Sequence, residues 1–350
     1  MKKLEAKYEG KVLGLGEVML RLTPPGYEKI IQANSFSATY AGGEANVICS
    51  LSMFGHDTKF VTKLPDNKLG EKVIKDLRSF GVDTKDIITG EGRLGIYFLE
   101  QGMGLRNTDV IYDRKYSAIS MAKEDEFDID KILEDATNSK TAEMNNYKKI
   151  AETYRYRIIC VDMTDVPIEE CKKRNIIVSY DSNFRAKLWS LEDARQFMLE
   201  ILPYVDIAFL GILDFKNILL YDIPTESFEE NLKILYKKLF EKYPNLKFAS
   251  STRRKVNSVN NNSLKGYLFD GENVNKSKEY TFDILDRVGG GDSFTAGILH
   301  GLLNQMTCEE TVEFATCASV LKHSISGDMN LVSEKDIKSL MMSGVENINR

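Results

Sequence analysis

Two spacings of apolar residues take turns along this chain. "KVLGLGEVMLRL" (11–22) is an apolar run rich in β-forming residues and predicts an opening strand. After a turn at Gly42 and Gly43, the residues Ala45, Ile48, Cys49, Ser52 and Met53 recur on one side of a predicted helix. "DTKFVTKLP" (57–65) predicts a strand, and "NKLGEKVIKDLRSFG" (67–81) a helix stopped by Gly81. "LGIYFLEQG" (94–102) and "DVIYDRKYS" (109–117) alternate as half-buried strands do. "NIIVSYDSN" (175–183) reads as a short buried strand. "YVDIAFLGI" (204–212) and "NLKFASSTRRK" (245–255) each read as a strand following a helix. Near the far end, Phe294, Ile298, Leu299, Leu302 and Leu303 stand at helical spacing.

Strands alternating with helices predict an α/β fold, its mostly parallel sheet covered on both faces. The more polar strands near 31–37, 57–63 and 94–113 fit that layer poorly. They predict a small antiparallel sheet outside it, a lid lying within 17–40, 57–63 and 94–115. The stretch 123–175 is charged and irregular and predicts no clear element. "NSVNNNS" (257–263) predicts a loop. No internal repeat divides the chain, so residues 1–350 are expected to form one domain that includes the lid.

Composition mainly excludes. With 43% hydrophobic residues the chain can bury a large core, and a net charge of −5 argues against a nucleic-acid partner. The short basic clusters at 172–174 and 253–255 read as solvated faces. Cysteines 49, 160, 171, 308 and 317 show no ligand spacing and read as reduced thiols. No apolar run follows the basic start "MKKLEAKYEGK", so no signal peptide is expected, and none is long enough to span a bilayer. The expectation is a cytoplasmic protein acting on small molecules, without membrane or nucleic-acid partners.

One stretch changes this picture. "DRVGGGDSFTAGIL" (286–299) puts Gly289, Gly290 and Gly291 at the start of the last predicted helix. Unpaired N–H groups and the positive end of the helix dipole favour an anion there, and glycine allows close approach. Asp292 follows at once. A carboxylate would repel a phosphate unless it accepts a proton, so this pairing suggests a base beside a phosphoryl group. A capping aspartate after a flexible turn is the competing reading. No Walker GxxxxGK[ST] pattern is present.

This stretch resembles the C-terminal signature of the ribokinase-like (PfkB) sugar kinases. "AGGEANVICSLSMFG" (41–55) resembles their N-terminal signature, with Asn46 three residues after Gly43. The resemblance implies a three-layer αβα sandwich with a small β lid over the sugar. It also implies ATP with Mg²⁺, Asp292 as general base and Gly289–Gly291 as anion hole. "GIYFLE", "VIYDRKYSAIS" and "YDSNFRAKLW" look like the 2-keto-3-deoxygluconate kinases within that family. That likeness implies Gly42, Gly43, Asn46, Tyr97, Tyr112, Arg114 and Arg185 on the sugar acid, and Ser251, Arg253 and Gly266 on the nucleotide side. The chemistry agrees, because planar guanidinium meets carboxylate with two parallel hydrogen bonds. Packing aromatics and surface charges are the plainer readings of the same tyrosines and arginines. Trp189 reads as core or cavity wall, and His300 as structural.

The pattern departs from the family in three places. Relatives carry an NxxE segment where this chain has "LGILDFK", leaving Gly211 for the asparagine and Asp214, a candidate for metal, for the glutamate. The region 137–175 does not resemble the family. Gly290 stands where alanine is usual. Asp286 is a candidate for holding a monovalent cation such as K⁺, with plain turn chemistry as the alternative. The expected reaction is ATP-dependent conversion of 2-keto-3-deoxygluconate to its 6-phosphate. Another sugar kinase of fructokinase or ribokinase type, or a binding protein with weak catalysis, are the alternatives. Association into a homo-oligomer through the lid is expected by analogy.

Overall fold

The computed structural model describes residues 11–135, 158–161, 168–174, 176–188 and 190–343. A nine-stranded sheet organises them. Its order runs from Val274–Lys276 through Asn261–Phe269, Phe248–Ser258, Ile207–Phe209, Ile177–Asp181, Ile158–Val161 and Val12–Leu15 to Thr58–Val61. The ninth strand, Tyr280–Asp283, pairs with the first residues of Asn261–Phe269. Neighbours from Thr58–Val61 to Phe248–Ser258 are parallel, and the hairpin beyond is antiparallel.

Successive side chains of these strands feed two separate cores. Val12, Phe60, Ile177, Ile207 and Phe248 point to one face, while Leu13, Val61, Val178, Ala208 and Ala249 point to the other. A strand buried on both faces has no room for polar alternation, which is why these segments read as unbroken apolar runs. Helices Gly43–Met53, Lys68–Ser79, Gly290–Leu303 and Cys308–Lys322 cover the first face. Leu191–Ile201, Ile212–Asn217 and Phe228–Lys242 cover the second, completing three layers. Local signals set the ends: the Asn67 side chain accepts from the N–H groups of Leu69 and Gly70, and Gly81 takes φ +85° just past the same helix.

A four-stranded lid, ordered Ser37–Ala41, Met19–Thr23, Ile96–Glu100 and Asp109–Asp113, stands apart from the main sheet. It differs from expectation in two ways. Ile96–Glu100 runs parallel to Met19–Thr23, so the lid is mixed rather than antiparallel. The 57–63 strand is not in it: Thr58–Val61 closes the edge of the main sheet beside Val12–Leu15. Its polar look came from Thr58 and Lys59, which are buried, and Lys59 pairs with Asp86. Residues 30–32 form a short 3-10 turn, and the strand follows at Ser37–Ala41.

Two more expectations are corrected. Within the irregular region, Ile158–Val161 is a full member of the sheet between Val12–Leu15 and Ile177–Asp181; the rest of 136–157 and 162–167, like Trp189, lies outside the described residues. The stretch 257–263 is not a loop but a tight hairpin, with Asn262 fully buried. Its asparagines spend their amides on one another and on the next strand, as Asn261 does in donating to Asp283. Cys49, Cys171, Cys308 and Cys317 are buried. No helix among the described residues is long and apolar enough to cross a membrane.

The carboxyl ends of the parallel strands open on the side where the lid stands. Glu17 follows Val12–Leu15, Ser182 to Arg185 follow Ile177–Asp181, and Gly211 to Asp214 follow Ile207–Phe209. Ligands of open α/β sheets bind in the crevice at such strand ends.

Candidate active site

A cavity of about 1260 Å³ lies between the lid and those strand ends. It gathers residues from both ends of the chain. Gly42, Gly43 and Asn46 line it from the start of the helix Gly43–Met53. Tyr97, Tyr112 and Arg114 reach in from the lid, Arg185 from the loop after Ile177–Asp181, and Ser251 and Arg253 from Phe248–Ser258. Gly289, Gly291 and Asp292 close it at the start of Gly290–Leu303.

The three glycines do three different things. Gly289 takes φ +82°, and a Cβ there would overlap the carbonyl oxygen of Asp328. Gly290 does not face the cavity; a Cβ on it would run into the buried ring of His323. Gly291 has open space where its Cβ would be. The first intrahelical bond runs from the Ser293 N–H to the Gly289 carbonyl at 2.9 Å. The N–H groups of Gly290, Gly291 and Asp292 therefore have no intrahelical acceptor, and the bare face of Gly291 leaves them reachable.

Asp292 ties the two distant signatures together. Asn46 Nδ2 donates to its Oδ2 at 2.7 Å, and Asn46 Oδ1 faces the Gly42 N–H at 3.4 Å. Burial pushes the Asp292 carboxyl up to about 6, against the Asn46 hydrogen bond and the Arg185 charge, which pull it down. Asp181, which sequence reasoning passed over, lines the same wall. Burial and the nearby Asp292 charge push it up to about 7, although the Asn183 N–H and the Thr295 hydroxyl, at 3.0 and 3.1 Å, donate to it. Only its place at the end of an apolar strand hinted at it.

The lid residues have partners that sequence did not reveal. Arg114 donates through Nε and NH2 to Glu17 Oε2 at 2.8 and 2.7 Å, so Glu17 spends two of its donors and leaves the rest. The Tyr97 hydroxyl donates to Asp328, whose other oxygen pairs with Arg21. The Tyr97 and Tyr112 rings lie 6.1 Å apart. Arg185 donates to the carbonyls of Asn183 and Phe184, which curls it over the strand end.

Three expected site residues lie elsewhere or are otherwise engaged. Gly266 is not in the cavity wall: a Cβ there would strike Thr316 and Phe294, so glycine is needed to pack the sheet against a helix. Asp286 is buried and pairs with Arg21 at 2.6 Å, and it also accepts from the N–H groups of Gly327 and Val288. A guanidinium thus occupies the acid expected to meet a monovalent cation. Asp214 lines the cavity, but its oxygens accept from the Gly211 N–H at 2.7 Å and the Ser182 hydroxyl at 2.8 Å, capping the helix Ile212–Asn217. Burial pushes its carboxyl up as well. The cluster 253–255, read as a solvated face, in fact sends Arg253 and Arg254 into the cavity wall. His300 is buried in helix packing, its Nδ1 2.9 Å from His56 Nε2.

Among the described residues no group of three or more His, Cys, Asp or Glu side chains is built to hold a metal ion by itself. Asp181 and Asp214 suit an ion that arrives already bound to phosphates, because burial holds both carboxyls up until a cation faces them.

The model of the pfkB family of carbohydrate kinases matches residues 10–243 and 265–334. A 2-dehydro-3-deoxygalactonokinase of Haloferax volcanii is 28% identical, covering 97% of this chain and 99% of its own length. A 2-dehydro-3-deoxygluconokinase of Bacillus subtilis is 22% identical, with 90% of each chain covered. The crystal structure of the Thermotoga maritima 2-dehydro-3-deoxygluconokinase superposes with a TM-score of 0.85 at 35% identity, covering 95% of this chain and 99% of that one. The three-layer arrangement with its lid is the ribokinase-like fold.

Proposed function

The chain belongs to the pfkB family of carbohydrate kinases, and within it we propose that this protein phosphorylates 2-keto-3-deoxygluconate at its terminal hydroxyl, using ATP with Mg²⁺. The observation that carries the reading is one cavity that gathers two chemically distinct sets of groups. Arg114 and Arg185, with Tyr112, supply the donors an acidic sugar needs, and the Tyr97 ring lines the wall beside them. The helix start at Gly291 and the carboxylate of Asp292 supply what a transferring phosphoryl group needs. Relatives named for keto-deoxy sugar acids support the same substrate class.

Asp292 takes the proton of the attacking hydroxyl. The freed oxygen bonds the γ-phosphorus in line as the bond to the departing ADP oxygen breaks. The N–H groups of the glycine run Gly289–Gly291 and of the helix start hold the charge on the transferring group. Asn46 keeps the Asp292 carboxylate turned toward the cavity. Arg114, steadied by Glu17, and Arg185 hold the acid end, so only the far hydroxyl meets ATP. Mg²⁺, when bound with the nucleotide, would offset phosphate charge, and Asp181 and Asp214 are the carboxylates that would hold it. Ser251 and Arg253 lie toward the nucleotide. On the lid, Ile31, Met103, Leu105 and Ile111 are exposed, which supports a homo-oligomer joined there.

ADP release with Mg-ATP and the gluconate- or galactonate-derived keto acid tests the reading, beside fructose and ribose. Turnover on a keto acid and not on the neutral sugars is expected. Asp292→Ala is expected to lower kcat by about 10²-fold or more while the sugar acid still binds. Arg114→Ala is expected to raise KM for the acid and not for ATP. Efficient turnover of fructose or ribose would leave the kinase and remove the sugar-acid assignment. Binding of the keto acid without turnover would favour a sensor, for which the bare Gly211 is the one supporting observation.

A further inference from the structure

The strand Phe248–Ser258 carries two adjacent arginines into the cavity wall with different surroundings. The Arg253 guanidinium lies over the Phe228 ring at 4.9 Å. Arg254 leaves the opposite face of the strand, and its NH2 lies 3.2 Å from Nε2 of His323. Among the described residues Arg254 has no carboxylate partner, and the charge that acts on it is a second cation, Arg287. Arg287 lines the same cavity beside Gly289. Two guanidiniums lining one cavity, one acting on the other's charge, are unfavourable together unless an anion comes to lie there.

His323 determines where Arg254 points. Its Nδ1 is 2.6 Å from the Ser319 carbonyl oxygen, which can only accept, so Nδ1 carries the proton. Nε2 is then a lone-pair acceptor and Arg254 is the donor. The ring is fully buried, and burial with the Arg254 charge keeps it neutral, pushed down to about 4. The same residue supports the anion hole from below. Its ring fills the space beneath Gly290, and its carbonyl accepts from the N–H groups of Leu285 and Asp286. The Ser319 hydroxyl, one turn earlier, donates to the Gly290 carbonyl at 2.7 Å. One histidine therefore fixes both the glycine turn and the guanidinium beside it.

We propose that Arg254, aimed by neutral His323, contacts the β- and γ-phosphates during transfer, with Arg287 sharing their charge. The inference rests on the kinase reading and deepens it. Arg254 is a catalytic residue in this account and His323 a positioning residue. It also accounts for the bare Gly211: phosphate charge that the family pattern would organise from that segment is met here from the neighbouring strand, by guanidiniums. A bidentate guanidinium suits two phosphate oxygens better than an ammonium would.

Calorimetric titration of ATP, ADP and AMP into the full-length protein and its Arg254→Gln, Arg287→Gln and Lys255→Gln variants tests this, together with turnover on the keto acid. Losing a charge-assisted bond to phosphate weakens binding by about 10- to 100-fold. Arg254→Gln is therefore expected to lose ATP affinity by at least about 10-fold, keep AMP affinity, and lower kcat without raising KM for the sugar acid. Arg254→Lys should recover part of the loss, and Lys255→Gln, on the exposed neighbouring position, should match the parent. His323→Gln should reduce ATP-over-AMP preference in the same direction while Arg254 is still present. Unchanged ATP affinity and kcat in Arg254→Gln would overturn the proposal. Absence of ATP binding by the parent protein would overturn the kinase reading, and this inference with it. Arg254 is only partly buried, so its variants are expected to fold; an altered circular dichroism spectrum would shift the decision to Arg254→Lys and Arg287→Gln, equal to the parent if the idea is wrong.

Discussion

Asp292 and Asp181 face one cavity wall with carboxyls pushed up to about 6 and about 7. The Asp292 charge adds to the cost of ionising Asp181. A base must be deprotonated to act. The kcat/KM for the sugar acid is therefore expected to fall as pH drops through about 6, because that ratio reports the free enzyme. A flat profile down to pH 5 would remove Asp292 as the base. The same shift acts on stability with a definite sign. The folded state holds this proton more tightly than the unfolded chain, whose carboxyl sits near its ordinary 3.8. Stability is thus lost as pH rises from the unfolded value through the folded one, and the loss is complete above about 6. Asp292→Asn removes the titrating group, so at pH 8 it should gain about 1–3 kcal/mol while losing turnover. Denaturant titrations of both proteins at pH 8 and pH 4 check it; the gain should vanish at the lower pH.

The start of the helix Gly290–Leu303 shows how one element divides its work among three identical residues. Gly289→Ala meets both a left-handed backbone and the Asp328 carbonyl, and is expected to cost about 2–4 kcal/mol. Gly290→Ala presses on the His323 ring and should act on catalysis indirectly, through Arg254. Gly291→Ala meets nothing, and alanine is the better helix former, so stability should stay within about 0.5 kcal/mol or rise. Its methyl group nonetheless stands where phosphate must approach, and ATP turnover should fall by 10-fold or more, an order-of-magnitude expectation. Thermal unfolding and turnover of the three variants check the order. Stability lost in all three alike would make the run a mere flexible turn. The glycine run at a helix start was legible because both signals are local: a breaker cluster and apolar residues at helical spacing. The reason alanine is absent at Gly290 was not, since the ring that fills its place comes from His323, on the helix that follows in the chain.

At the scale of the molecule, the lid is fastened to the catalytic loops by a buried charge network. Arg21, from the lid strand Met19–Thr23, pairs with Asp286 just before the glycines and with Asp328, which also accepts from Tyr97 on the next lid strand. All four side chains are buried. Removing one partner of such a set leaves uncompensated charge, at a cost of about 3–5 kcal/mol. Arg21→Met is therefore expected to lower stability by that order, read by urea unfolding, and to weaken closure over the sugar acid. A cost under 1 kcal/mol, as for an exposed pair, would show that sheet pairing alone carries the lid.

What the sequence determined by itself was everything that depends on near neighbours. The period of apolar residues announced the helices at 43–53, 68–79 and 290–303, the buried strands at 177–181 and 207–209, and the strand that begins buried at 248–251. Paired glycines and the Asn46 and Asp292 signatures pointed to a phosphoryl-transfer site. Tertiary structure decided what depends on distant partners. Thr58–Val61 looked like a lid strand because Lys59 finds its buried partner, Asp86, only in the folded sheet. Ile158–Val161 was hidden because four apolar residues in a charged region carry too little periodicity to stand out. Glu17 beside Arg114, Asp328 beside Tyr97, and His323 beneath Gly290 and against Arg254 join residues far apart in the chain. So do the raised carboxyls of Asp181 and Asp292, whose protons answer to water withheld by the whole fold. Local order is set by backbone geometry and side-chain spacing, while charge, burial and aim are set by whatever the packed chain brings alongside.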